Sequence, residues 1–74
     1  MMDWSRIEAQ WQHYKVLAHI RWGRISAADL DLIAGRRALL ALHIHQIYGV
    51  SKDAAQMQLE SWQGQQREPG GAGG

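Results

Sequence analysis

The 74-residue sequence predicts an all-α fold of four helices. Apolar residues recur at spacings of three and four, one grammar of helix starts appears three times, and no stretch keeps the alternation of a strand. Each start sets an apolar residue before a capping residue, with another apolar residue four positions after the cap. The three sets are Met2-Asp3 with Ile7, Ile25-Ser26 with Leu30, and Val50-Ser51 with Ala55. In such a staple the Asp or Ser oxygen accepts a backbone N–H that has no partner inside the helix. Asp29 follows Ser26 at the third helical position, a weaker form of the capping box.

The first helix is expected over residues 4–22. Trp4, Ile7, Trp11, Tyr14, Ala18 and Trp22 fall there in a stripe roughly 80° wide. The second, over 27–34, supplies Leu30 and Ile33, with Leu32 a less certain member. The third, over 36–48, carries Leu40, Ile44, Ile47 and Tyr48 on one face. The fourth, over 52–63, carries Ala55, Leu59 and Trp62. Gly23 and Gly49 follow Trp22 and Tyr48, where a left-handed residue ends a helix. Gly35 marks a break or sharp bend, with a continuous helix left open. The aromatics share the period of the aliphatics, so they read as core, and Trp11 is expected to face the third or fourth helix.

Residues 3–63 form one domain. Residues 64–74 hold five of the eight glycines and the only proline, and are expected to be a disordered glycine-rich tail. A domain of 8.4 kDa buries only about 60% of its unfolded surface, which leaves no room for a deep, dry active site. No cysteine is present, so disulfides and zinc–thiolate sites are excluded. The net charge of +1 is far from the balance of a nucleic-acid arm, and no apolar run approaches the ~20 residues of a membrane span. The polar N-terminus has no apolar core of a signal peptide, so the expectation is a cytoplasmic protein.

No reaction centre emerges from the sequence. Asp3, Asp29 and Asp53 sit in first turns, where caps and the helix dipole favour them. The serines have no His/Asp partner pattern, and no glycine-rich phosphate loop occurs. His43 and His45 point about 160° apart on a helix, and His13 and His19 are also off one face. The reading is therefore no enzyme, no metal and no cofactor.

The ordered motifs resemble a known family. They run Asp3-Trp4, Ile7-Glu8, Trp11, Trp22-Gly23, residues 30–37 as LDLIAGRR, residues 47–52 as IYGVSK, and a closing Trp62. Together they look like the CsbD-like family of small bacterial stress-response proteins, over residues 3 to about 63. The resemblance implies a cytoplasmic bundle of two packed helical hairpins, similar to a sterile-alpha-motif arrangement, induced in general stress. It implies no enzymatic activity and no cofactor.

The sequence departs from that family in the outer faces of its helices, which carry apolar residues. Val16 and Ile20 lie about 160° from the centre of the tryptophan stripe, joined by Ala9 and His13. Leu39 and Leu42 lie roughly 130–165° from the Leu40/Ile44/Tyr48 face. Two such second stripes point to a contact surface for a homodimer or another protein, a twofold contact being the simplest closed form. The competing reading is a small nucleic-acid-binding module using Arg21, Arg24, Arg36 and Arg37. It is the weaker one, because Ala38-Leu39-Leu40-Ala41-Leu42 offers almost nothing to hydrogen-bond a base edge. Arginine pairing with Asp29 or Asp31 accounts for those charges more simply.

Overall fold

The computed structural model describes residues 2–67. Five helices follow one another: α1 (Trp4–Ala9), α2 (Trp11–Arg21), α3 (Ala27–Ile33), α4 (Arg37–Tyr48) and α5 (Lys52–Gln65). No strand occurs among the described residues. Each helix packs against its successor along the chain from α1 to α4, and α4 packs against α5.

All three expected caps form. Asp3 accepts from the Ser5 amide at 3.3 Å, Ser26 from the Asp29 amide at 3.1 Å and Ser51 from the Ala54 amide at 3.0 Å. Their staple residues Met2 and Ile25 are buried, and Val50 is half-buried.

The expected first helix is two helices. The chain leaves helical geometry at Gln10, with φ −118° and ψ 40°. A straight helix over 4–22 is about 28 Å long, against about 18 Å for α4 and 21 Å for α5. Its first turns would project past the bundle. The break folds them back, so that the Trp4 indole N–H donates to the Gly35 carbonyl at 2.8 Å and the Trp4 ring meets Trp62 at 5.8 Å.

The breaks further along also differ from expectation. Gly23 does not adopt a left-handed conformation. Instead α3 ends one residue early, with Ala34 (φ 53°) and Gly35 (φ 78°) both left-handed, so a continuous helix through Gly35 is ruled out. Gly35 is held against α1: a Cβ there would lie 2.8 Å from the Glu8 Cα. Gly49 ends α4 at φ 68° as expected. The last helix runs through Gly64 to Gln65, two residues into the expected tail. Gln66 closes it by donating its side-chain N–H to the Trp62 carbonyl at 2.8 Å, and Tyr14 Oη donates to the Arg67 carbonyl. The remaining tail residues, 68–74, lie outside the described residues.

The core is the tryptophan-rich one that the spacing predicts. Ile7, Trp11, Tyr14, Ala18 and Trp22 are buried with Leu30, Ile33, Leu40, Ile44, Ala55, Leu59 and Trp62. Trp4, Ile47 and Tyr48 pack against it half-buried. Ala41 joins the core unexpectedly, while Leu32 is 75% exposed and belongs to no core stripe. The indole N–H of Trp11 donates to the Leu30 carbonyl at 2.8 Å, which ties its polar edge to α3. Trp22 donates to Gln58 Oε1 at 2.9 Å, and no buried side-chain polar atom among the described residues lacks a partner.

The two hairpins, α2–α3 and α4–α5, turn their corners alike. Trp22-Gly23 and then Ile25-Ser26 make the first; Tyr48-Gly49 and then Val50-Ser51 make the second. His19 donates from Nδ1 to the Ile25 carbonyl at 2.9 Å, and His45 from Nδ1 to the Val50 carbonyl at 2.6 Å. The left-handed Gly49 reverses the chain with one residue fewer than the first corner needs. The corners meet, with the Arg24 amide donating to Tyr48 Oη at 3.0 Å.

Candidate contact surfaces

The outer faces of α2 and α4 hold the residues that the sequence singled out. Val16 is 57% exposed and Ile20 is 76% exposed. Both line a groove of about 190 Å³ between α2 and α3, whose other walls are Lys15, His19, Ala27 and Leu30. Leu42 is 40% exposed, whereas Leu39 packs half-buried against the core, so the expected outer stripe on α4 reduces to Leu42. These two line a second concavity of about 310 Å³ with Ala38, Ala41, Lys52 and Gln56. The structure therefore brings Val16 together with Ile20 and Leu39 together with Leu42. It places the two pairs in separate grooves with no wall residue in common. Val16 and Leu42 hold corresponding places in the two hairpins, each 26 residues from the other along matching helices.

The edge of the α2–α3 groove is fixed by an ion pair, Lys15 Nζ to Asp31 Oδ1 at 2.6 Å. Lysine thus takes the aspartate that the sequence left to an arginine. Three of the four arginines lie over aromatic rings: Arg21 over Trp22 at 5.2 Å, Arg24 over Tyr48 at 5.4 Å and Arg37 over Trp4 at 6.0 Å. Arg37 also donates to Gln56. Arg24 sits where α4 ends, and Arg36 and Arg37 where it begins, about 18 Å away along a 12-residue helix. The four do not converge on one patch.

One exposed apolar residue was missed. Met57 on α5 is 70% exposed. Asp53, Met57 and Glu60 are spaced four and three, on the side of α5 opposite Ala55, Leu59 and Trp62, and all three are exposed. That spacing was available in the sequence as a signal.

The histidines and carboxylates stay apart among the described residues. No group of three His, Asp or Glu side chains converges. His43 donates from Nδ1 to the Leu39 carbonyl at 2.8 Å, and His13 meets the edge of Tyr14. Burial pushes the Tyr14 phenol above its ordinary value, with the Arg6 charge pulling the other way. A neutral, buried phenol bonded to a backbone carbonyl is a strut of the fold. No helix among the described residues is long and apolar enough to cross a membrane.

No family model matches the chain, and no solved structure matches it. Curated bacterial proteins do. A UPF0337 protein of Rhodopseudomonas palustris is 36% identical over 82% of this chain and 92% of its own. One of Agrobacterium fabrum is 37% identical over 88% of this chain and 97% of its own. One of Escherichia coli is 32% identical over 84% and 90%. With identity at this level over most of both chains, the chain belongs to the UPF0337 family, the CsbD-like proteins.

Proposed function

We propose that this chain is a non-enzymatic bacterial stress-response protein that works in the cytoplasm by protein contact, with its own copy as the first partner. The observation that carries the contact reading is Ile20, three-quarters exposed at the lip of an apolar groove in a domain whose core is already filled. Scattered apolar residues are ordinary on protein surfaces. Val16, Ile20, Ala27 and Leu30 instead share one groove, and apolar area left wet there forgoes about 25 cal/mol per Å². A net charge of +1 opposes association weakly. The separation of Arg21 and Arg24 from Arg36 and Arg37 weighs against the nucleic-acid reading.

The test is solution mass by sedimentation equilibrium. The parent is expected to rise above the mass of one chain at high micromolar concentration, and an Ile20→Glu/Leu42→Glu double variant to stay at one chain with its helical signal intact. A parent that remains at the mass of one chain refutes self-contact. For the stress role, the transcript is expected to climb several-fold on entry into stationary phase or osmotic shock, and flat expression under both overturns it.

A further inference from the structure

Resting on the self-contact reading, we infer that the contact is head-to-tail: Met57 of one copy seats in the α2–α3 groove of the next. Three observations carry this. The first is charge. α2 carries Lys15 and Arg21 and no carboxylate along its length. A twofold copy would set Lys15 and Arg21 against their own counterparts, with the Lys15–Asp31 pair at the groove edge. The outer stripe of α5 is the complement, with Met57 between Asp53 and Glu60 about one turn to either side.

The second is size and shape. Met57 projects from the outer surface of α5, and a groove of about 190 Å³ is of the size to take one unbranched side chain. Methionine adapts to a groove of irregular walls better than a branched residue does. The third is direction. The Trp22 ring, just past the end of α2, meets the Trp62 ring of α5 at 5.5 Å within the core. Val16 and Ile20 lie opposite the core stripe of α2, and Met57 opposite that of α5. Knob and groove are therefore two different outward surfaces of the chain, and a contact between them is head-to-tail. One side chain and its rim make a small interface of the weak, transient class.

Two variants separate this arrangement from a twofold dimer. Ile20→Glu spoils the groove and keeps the knob; Met57→Lys spoils the knob and keeps the groove. Both positions are exposed, so each variant is expected to keep the parent's helical signal and melting midpoint. Each alone should sediment as one chain. An equimolar mixture should form a pair of twice the 8.4 kDa chain mass and nothing larger, because one good knob meets one good groove. A parent that associates while the mixture stays at one chain overturns the head-to-tail contact and leaves self-contact standing. A dimer formed by either variant alone also overturns it. A parent that never associates removes both. Added salt should weaken the parent's association several-fold, and strengthening by salt contradicts the charge complementarity.

Discussion

Three glycines that look interchangeable in the sequence occupy three different physical situations. Gly35 is left-handed and pressed on the backbone of Glu8, so Gly35→Ala meets both a steric wall and an unfavourable φ. Gly49 is left-handed in open space, and Gly49→Ala should cost about 1 kcal/mol from φ alone. Gly23 is neither, its nearest obstacle being the His19 carbonyl at 3.7 Å, and Gly23→Ala should raise stability by about 0.4–1 kcal/mol. Thermal melts of the three should rank Gly35→Ala lowest and Gly23→Ala above the parent. A parent-like Gly35→Ala would mean that α1 is not seated as described. Trp11 offers a second residue-scale test. Trp11→Phe keeps most of the ring but loses the indole hydrogen bond to the Leu30 carbonyl, which still accepts from the Ala34 amide, a loss of about 0.5–1.5 kcal/mol. Trp11→Ala adds a cavity and should cost about 3–5 kcal/mol, enough to unfold so small a domain. Tyr14 sets an alkaline limit. Its phenol binds its proton more tightly in the folded chain than in the unfolded one, so its contribution is complete below pH ~10 and is lost as pH rises through the raised value. Tyr14→Phe should melt lower at neutral pH and lose that part of the alkaline fall.

Among the elements, caps were the most legible. Asp3, Ser26 and Ser51 could be named because a polar cap between two apolar residues has few other uses, and Ser26→Ala and Ser51→Ala should each cost about 1 kcal/mol in chemical denaturation. The end of α3 was not legible. Sequence reasoning gives left-handed positions to glycine, yet the turn before α4 needs two in succession, and the glycine stands where a side chain would strike Glu8. Ala34 takes the other, exposed position, so Ala34→Gly should raise the melting midpoint, by up to about 1 kcal/mol of stability. The break at Gln10 had no local mark either, neither glycine nor proline. It accompanies the contacts of Trp4 with Gly35 and Trp62, which no local pattern contains. Val16 and Ile20 could be placed on an outer face from helical angles alone, whereas Leu39 could not be judged. Its burial depends on how closely its side of α4 meets the rest of the core, and no single-helix projection contains that distance.

At the scale of the whole molecule, neighbouring helices along the chain are neighbours in space, and the histidine-tied corners give the two hairpins a common plan. Contact partners separated by one short turn favour rapid folding, and refolding is expected on the microsecond-to-millisecond scale of small helical bundles, measurable by temperature-jump fluorescence of the tryptophans. A refolding phase of seconds would point to slow long-range docking of α1. That docking closes the molecule. Gln63 donates its side-chain N–H to the Met2 carbonyl, so the first described residue lies beside the last helix. Joining the chain head to tail would therefore ask little of the folded state and remove much of the freedom of the unfolded one. By the chain-entropy estimate for a loop of this size, a backbone ring is worth about 4 kcal/mol. A ligase-cyclised form should melt well above the linear chain.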